Sequence, residues 1–370
     1  MRETITRILS VYSSFLGLDF KDITATANTW HHEVVVYEVR RQSDNEVAGH
    51  LYLDQFPRPG KFGHQMIVPL APSFVDTRHG RRCVPACVNI SNLSRPQGDK
   101  PALLRWGQMK TLFHELGHAM HCLCTTTNFS VLSWAWPMVP WPGGVEQDFL
   151  EVPSMALEKF ACEPSLLSKV ANHFSANTHA APPVLDTGTI DKIKSLEHTQ
   201  SLEHTHVAPP VLDTGTIDKI KSLERWMVGI AQTRYFSMAL FDLLVHSSAP
   251  PYSFNGEDGL SIQQLFRRVS EHYNHLAMQE DAHPCASWYH LVIGYDAGYY
   301  GYGWSDVYAA DVFEAMANAQ DDLVSPANGQ RLRDEILGPC STRPGMEMLK
   351  NFLGREPNAD AWCERKGIKV

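Results

Sequence analysis

The feature that most constrains this chain is residues 111–121, which read Thr-Leu-Phe-His-Glu-Leu-Gly-His-Ala-Met-His. The stretch contains His-Glu-x-x-His, formed by His114, Glu115 and His118. On a helix, residues four apart lie above one another on one face, so both imidazoles can reach a single ion. Zinc binds neutral imidazole, and a catalytic zinc keeps three protein ligands and one position open for water. Glu115 stands beside the first histidine, where it can accept a proton from that water.

The apolar residues around this motif predict a helix. They recur at three- and four-residue steps and form one stripe: Met109, Leu112, Phe113, Leu116, Met120 and Leu123. We expect the helix to begin near Pro101 and to end at the threonines 125–127. A third imidazole at His121 would crowd the position kept open for water, so we do not expect His121 to bind the metal. The alternative is that His-Glu-x-x-His occurs here by chance. Such accidental matches are rarer within a strongly amphipathic helix pattern than elsewhere in a long chain.

Composition limits the class of protein. The 370 residues are enough for two domains or one large elongated unit. The 41 acidic residues outnumber the 32 basic ones, and the resulting net charge of −9 predicts no nucleic-acid partner. No apolar run approaches the length of a membrane span, so we expect no membrane partner. The eight cysteines form no Cys-x-x-Cys pair, which is typical of reduced thiols in an intracellular protein.

The N-terminal residues bear on the compartment. Arg2, Arg7 and a short apolar stretch are similar to a targeting peptide, but Glu3 and the lack of a small-residue cleavage site argue against secretion. A mitochondrial transit peptide would be interrupted early by Asp19 and Asp22. We therefore predict a cytoplasmic protein, with the mitochondrial matrix as the alternative.

Residues 1–95 are predicted to form a helix followed by a small sheet. Residues 1–24 carry helically spaced apolar side chains. β-Branched residues at 32–40 predict a strand, and 47–55 predicts its hairpin partner across a short turn. Shorter strands are predicted at 64–68 and 83–90.

Residues 131–144 hold three tryptophans and three prolines, which excludes a regular helix. They form a loop with large apolar anchors. We favour packing against the body of the protein, and a lid that faces substrate is the alternative. Beyond this loop, Pro153 predicts the first turn of a helix. Glu151 stands just before that turn, and Glu158 is two turns further along on nearly the same face.

A near-perfect repeat interrupts the second half of the chain. Residues 179–197 return as residues 206–224 at an offset of 27, with one difference in nineteen positions. Two copies cannot build a solenoid, which needs at least three stacked units. A recent duplication and an error in the gene model both explain such identity. We expect one copy to occupy its native position in the fold and the other to form an extra loop on the surface.

Residues 288–304, the Gly/Tyr segment, combine glycines and tyrosines in a part of the chain that is otherwise predicted to be helical. Its glycines, Gly294 and Gly298 among them, make it mobile and let a ligand approach the backbone. Its tyrosines supply phenolic donors. A structural tyrosine corner explains the same residues equally well, so this stretch alone leaves both interpretations open.

Three motifs, at 113–121, 148–154 and 290–302, stand in the order found in the thimet oligopeptidase family of zinc peptidases. The chain resembles that family, which includes oligopeptidase A, dipeptidyl carboxypeptidase and mitochondrial intermediate peptidase. Segments 30–34 and 346–357 are also similar to family sequences, so the resemblance covers nearly the whole chain.

The resemblance implies a fold that is mainly α with a small β-sheet, a zincin-type (gluzincin) catalytic domain without the family's N-terminal helical half. One catalytic domain is then expected over residues 1–370. Its expected parts are the helix and sheet (1–95), the metal-binding helices and Trp/Pro loop (96–174), the duplicated insert (175–224) and a C-terminal helical part (225–370).

The resemblance also implies the ligand set. It makes Glu151 the third zinc ligand beside His114 and His118, with one Zn²⁺ per chain. It makes Glu158 a carboxylate that orients a ligand histidine, as metal-bound imidazoles generally require.

The resemblance also implies that residues of the third motif, 290–302, contact the substrate. The resemblance makes His290 and Tyr302 residues that hold the substrate and stabilise the oxyanion. It places Tyr295 and Tyr299 along the substrate channel.

The chain departs from the family pattern in four ways. The N-terminal half is absent, the spacing from His114 to Glu151 is longer than usual, Met155 replaces a common Gln, and the duplication is alien to the pattern. The absent half forms one wall of the family's deep channel. We therefore expect exposed apolar surface, and association of this chain where intact relatives are monomers.

The sequence predicts a zinc-dependent metalloendopeptidase that hydrolyses short peptides, with Glu115 as the general base. One alternative is a mitochondrial peptidase that trims presequences. The other is a truncated, catalytically weak fragment that binds zinc or peptide without turnover.

The repeat yields a first prediction. Deleting residues 180–206 removes one period of 27 and leaves a single copy intact. The melting temperature should stay unchanged or rise, because the deletion removes a loop rather than core. A large drop in a thermal melt would mean that both copies pack.

Overall fold

The computed structural model describes residues 2–98, 102–134, 143–171, 214–279, 281–319 and 322–369. Most of the predicted Trp/Pro loop lies outside the described residues, and so does the first copy of the repeat. From residue 214 onward the second copy is described, and it forms a helix.

Helices dominate the regular structure, and the strands are short. The helices are α1 (Arg2–Leu16), α2 (Trp106–Cys124), α3 (Val152–Glu158), α4 (Pro164–Val170), α5 (Thr214–Arg225), α6 (Val228–Ser247), α7 (Ile262–Asn274), α8 (Gly301–Ala317), α9 (Pro326–Leu332), α10 (Gly345–Leu353) and α11 (Asp360–Lys366). The strands are β1 (Leu18–Asp22), β2 (Val35–Arg41), β3 (Val47–Asp54), β4 (Met66–Ala71), β5 (Phe74–Asp76), β6 (Arg81–Cys83), β7 (Ala86–Ile90), β8 (Tyr252–Phe254) and β9 (Glu257–Leu260). The prediction of a mainly helical protein with a small sheet is confirmed. Within the described residues, no helix is long and apolar enough to cross a membrane.

The main sheet precedes α2 in sequence, as predicted, and has five strands in the order β1-β2-β3-β7-β4. Neighbouring strands pair antiparallel except β3 and β7, which are parallel. The predicted hairpin is confirmed as β2 and β3, with Val36 opposite Tyr52.

Three predicted boundaries were wrong, each for a local reason. The first helix ends at Leu16, because Gly17 adopts a left-handed φ of +64° and turns the chain into β1. The strand predicted at 83–90 is divided into β6 and β7, with Pro85 between them, and proline cannot donate to a ladder. Helix α2 begins at Trp106 rather than near Pro101, and a side-chain amide of Gln108 accepts the Arg105 N–H at 2.9 Å.

Helix α2 lies at the centre of the core. All six residues of the predicted apolar stripe are buried. The helix packs on β3, β4 and β7 on one side and on α3 on the other. Helix α1 is joined to it by a hydrogen bond from the Tyr12 hydroxyl to the Phe113 carbonyl, at 3.1 Å. The motif helix is therefore held on both sides by the fold.

A second, smaller hydrophobic cluster forms between α6, α7 and the β8–β9 hairpin. Phe241 and Leu265 are buried in it, and Leu291 joins it from the Gly/Tyr segment. This cluster therefore anchors the beginning of that segment beside α6.

Helices α2 and α3 approach closely at Gly117. A Cβ added at Gly117 would lie 2.8 Å from Ser154 Cα and 3.4 Å from Leu157 Cβ. Because α3 follows directly on Glu151, this contact also sets how closely Glu151 approaches the motif histidines.

Replacing Gly117 with Ala should separate these helices. We expect a loss of about 1–3 kcal/mol of unfolding free energy, since overpacked cores must shift to relieve the clash. Gly107→Ala on the same helix is the control, because its Cβ would meet open space. That variant should be neutral or stabilised by up to about 1 kcal/mol, since Ala is the better helix former. Chemical denaturation of both variants measures the difference, and equal stabilities would contradict the close contact.

Candidate functional site

The two motif histidines lie on one face of α2, as their spacing predicts. The rings of His114 and His118 are 5.0 Å apart between centroids and nearly perpendicular, at 82°. His118 is buried, and His114 is partly buried. Both imidazoles face α3, where the chain supplies a carboxylate.

Glu151 meets both histidines through the same oxygen atom. Its Oε2 lies 3.1 Å from His114 Nε2 and 2.9 Å from His118 Nε2. One ligand atom from each of the three residues falls within 4.8 Å of the others. Two imidazole nitrogens and one carboxylate oxygen in a buried site are the donor set of a catalytic zinc. These residues therefore fit the metal that the sequence predicted.

The electrostatics of this group favour a cation. Burial alone would raise the pKa of Glu151, but the adjacent His118 and His114 outweigh it and hold that pKa well below its usual value. Burial would likewise lower the pKa of His114, but hydrogen bonds to Glu151 and Glu158 hold it well above the ordinary value. The buried carboxylate thus remains ionised, and positive charge beside it is stabilised.

Glu158, the last residue of α3, contacts His114 from the other side. Its Oε2 lies 2.8 Å from His114 Nδ1, and its Oε1 pairs with Lys110 Nζ at 3.2 Å. A proton held at Nδ1 by this carboxylate leaves Nε2 free to bind a metal. His118 has no such support, because its buried Nδ1 has no partner in the described part of the chain.

Glu115 is buried on α2 and lies outside the three-ligand group. Burial raises the pKa of its carboxyl, against the opposing effect of the two histidines. A carboxylate with a raised pKa is better suited to take up and return a proton. Its role as general base stays a prediction.

The Gly/Tyr segment reaches the metal ligands directly. The Tyr295 hydroxyl donates to Glu151 Oε1 at 2.7 Å, so Tyr295 fixes the carboxylate as well as lining the site. Tyr302 stacks on Tyr295 with 5.2 Å between centroids and 10° between planes. The sequence predicted neither contact.

His290 completes an aromatic cluster with these tyrosines. Its ring lies 5.9 Å from that of Tyr302 and 5.2 Å from that of Tyr299. Trp288 donates its indole N–H to His290 Nδ1 at 3.1 Å, which places the proton of a neutral ring on Nε2. Burial lowers the pKa of His290, so the ring is a neutral donor.

Gln147, which the sequence did not single out, links the segment to the residues before Glu151. Its amide donates to the Gly294 carbonyl at 3.0 Å. A Cβ at Gly298 would lie 2.8 Å from the Gln147 side chain. Gly294 has a φ of +71°, which favours glycine. Gly298 is therefore required by close packing, and Gly294 by its backbone conformation.

Comparison with known proteins settles the family. The sequence matches peptidase family M3 across residues 1–368. The chain belongs to this family.

Family M3 relatives with curated names are distant and longer. The thimet-like oligopeptidase of Dictyostelium discoideum is 29% identical over 98% of this chain and 47% of its own length. Saccharolysin of Saccharomyces cerevisiae is 28% identical over 100% of this chain and 46% of its own. Oligopeptidase A of Escherichia coli is 26% identical over 99% of this chain and 47% of its own. The chain thus spans about half the length of these relatives.

Among solved structures, PZ peptidase A with an inhibitor superposes on 85% of this chain and 42% of its own. The TM-score is 0.47 at 10% sequence identity.

His121 is a core residue. It is fully buried, and neither ring nitrogen has a hydrogen-bond partner among the described residues. It lies outside the three-ligand group that the described residues form. Burial lowers the pKa of His121 to about 3.

This lowered pKa makes stability depend on pH. Unfolded His121 takes up a proton near pH 6.5, whereas the folded chain keeps it neutral down to about pH 3. Stability is therefore lost as the pH falls between these values. His121→Leu should remove up to about 1.4 kcal/mol per pH unit from the slope of unfolding free energy below pH 6. Denaturation in chelator measures the slope, with exposed His283→Leu as the control. Parallel curves for His121→Leu and the unaltered chain would contradict the assignment.

Proposed function

We propose that this chain is a zinc-dependent metalloendopeptidase that hydrolyses short peptides. The observation that carries the proposal is the convergence of His114 Nε2 and His118 Nε2 on Glu151 Oε2, at 3.1 and 2.9 Å. Membership of family M3 and relatives named as oligopeptidases support the same activity.

His114, His118 and Glu151 would hold one zinc ion. When bound, such an ion lowers the pKa of a coordinated water and polarises a carbonyl oxygen. Glu115 would accept the proton of the attacking water and later pass it to the leaving amine. Its raised pKa supports the first transfer, because a stronger base gains the proton more readily at neutral pH.

Tyr302 and His290 would donate hydrogen bonds to the oxygen of the attacked carbonyl. Burial raises the pKa of Tyr302 well above its usual value, so its hydroxyl keeps its proton. His290 offers Nε2–H, since its Nδ1 accepts from Trp288. One preorganised donor of this kind typically contributes about 3 kcal/mol, or roughly a hundredfold in rate.

Tyr295 would orient the third ligand rather than the substrate. Its hydrogen bond occupies Glu151 Oε1 and leaves Oε2 facing the histidines. The Ser154 hydroxyl donates to Oε2 at 3.0 Å and also restricts the orientation of the carboxylate. Both contacts support a preorganised ligand geometry.

A pair of matched glutamine variants tests these roles. Glu115→Gln should keep one zinc per chain and abolish hydrolysis of a quenched fluorescent peptide, because the residue moves protons. Glu158→Gln should weaken zinc binding by about 10–100-fold and recover turnover when zinc is saturating, because that residue orients His114. Zinc titration and peptide hydrolysis measure the two effects. Loss of zinc from Glu115→Gln would refute this division of labour.

A weakly active chain is the second candidate, and one observation favours it. Large apolar side chains are exposed in the Gly/Tyr segment and along α6: Val292, Ile293, Trp304, Ile230 and Phe236. Where such side chains adjoin, they mark contact with other protein. A site whose hold on the substrate depends on such a contact loses kcat/KM without it, even with every catalytic residue present.

Peptides of increasing length distinguish the two candidates. We expect weak turnover, association in solution and less selectivity for peptide length than in full-length relatives. Light scattering and kinetics against a peptide series and an unfolded protein measure all three. A monodisperse monomer with robust turnover and a sharp length limit would contradict this expectation.

The compartment is also a proposal. We favour the cytoplasm, with presequence trimming in the mitochondrial matrix as the alternative. One relative is an organellar oligopeptidase A of Arabidopsis thaliana, 25% identical over 98% of this chain. Imaging of the tagged chain separates the compartments.

A further inference from the structure

Two side chains of α6 are hydrogen-bonded to the backbone of the Gly/Tyr segment. Tyr235 and Asp242 are seven residues apart, which on a helix is two turns along one face. Their backbone positions are thus separated by about 10 Å along the α6 axis, at 1.5 Å per residue. The segment runs past both positions between residues 297 and 303.

Asp242 is fully buried and binds two backbone amides of the segment. Its Oδ1 accepts from the Ala297 N–H at 3.2 Å, and its Oδ2 accepts from the Tyr299 N–H at 3.0 Å. His246, one turn further along α6, contacts Oδ1 through Nδ1 at 3.0 Å. A carboxylate has only acceptor sites, so both oxygens suit this pair of amides.

The Asp242 contact also supports an unfavourable backbone conformation. Ala297 has a left-handed φ of +57°, which residues other than glycine seldom adopt. Such a conformation persists where surrounding contacts fix it. The turn that delivers Tyr299 therefore depends on the carboxylate behind it.

Tyr235 holds the other end of the segment. Its hydroxyl accepts from the Gly303 N–H at 2.6 Å and lies 2.7 Å from the Tyr299 carbonyl, to which it can donate. A Cβ at Gly303 would be 2.7 Å from the Tyr235 ring, so the backbone lies directly on that ring. Tyr302 lies between the two anchored points.

We propose that Tyr235 and Asp242 form a two-point clamp that positions the Gly/Tyr segment for catalysis. Each acts through the backbone, and through it on Tyr302 and Tyr299, rather than on substrate. The inference rests on the proposed peptidase function, in which Tyr302 is a donor to the reacting carbonyl. A displacement of about 1 Å in such a group costs up to about a hundredfold in rate.

Two variants remove the clamp by different means. Tyr235→Phe keeps the ring on Gly303 and deletes only the hydroxyl. Asp242→Asn keeps the shape but turns an NH₂ toward one of the two amides. Thr233→Val is the control, because it deletes a hydroxyl on the same helix whose partners among the described residues are carbonyls of its own helix. We expect zinc content to be unchanged in all three.

Kinetics supply the first readout. Tyr235→Phe should lower kcat by about tenfold with KM changed less than about twofold, since the donor is needed most in the transition state. In a Tyr302→Phe background the same substitution should cost less than about threefold, because the residue it positions is already disabled. Equal losses in both backgrounds would overturn the inference, as would no loss in either.

Hydrogen exchange supplies a readout that needs no turnover. Amides within residues 290–304 should exchange faster in Tyr235→Phe and Asp242→Asn, and at the original rate in Thr233→Val. If the unaltered chain hydrolyses no peptide, the proposed function fails, and exchange alone decides whether the clamp holds the segment. Unchanged exchange in both clamp variants would refute the clamp, whatever the kinetics.

Discussion

The buried carboxylate of Glu151 is the interaction on which the rest of the site depends. Its Oε2 lies between two imidazole nitrogens, and its Oε1 accepts the Tyr295 hydroxyl. An ionised carboxylate is costly to bury, and here opposite charge and hydrogen bonds offset that cost. The same three ligand atoms would hold the metal ion of the proposed enzyme.

The fold delivers Glu151 by packing α3 tightly on α2. Gly117 permits the close approach, and the buried stripe of α2 holds that helix against the sheet. Glu158, two turns from Glu151, then meets His114 from the opposite side. The Gly/Tyr segment closes the site through Tyr295, and α6 fixes that segment from behind. The candidate site is therefore built from three elements: α2 and α3, which share the main core, and the Gly/Tyr segment, which is also anchored in the second cluster.

The features of the site that were predicted well from the sequence are those that depend on local helical periodicity. The histidine pair, the buried stripe and the phase of Glu151 and Glu158 all follow from the helical repeat, and the structure brings them together. The bond from Tyr295 to Glu151 joins residues 144 apart, and no sequence pattern encodes it. The same holds for the contacts of Gln147 and Asp242 with backbone groups of the Gly/Tyr segment. The division of the chain into four parts and the roles of Glu115, His290 and Tyr302 stay predictions.

The central claim is that Glu151, His114 and His118 hold the zinc. X-ray absorption at the zinc edge of the loaded chain tests it most directly. We predict two imidazole nitrogens at about 2.0–2.1 Å and two oxygens at about 2.0–2.2 Å, from one carboxylate and one water. A sulfur ligand at about 2.3 Å, from Cys122 or Cys124, or a third imidazole from His121 would contradict the account.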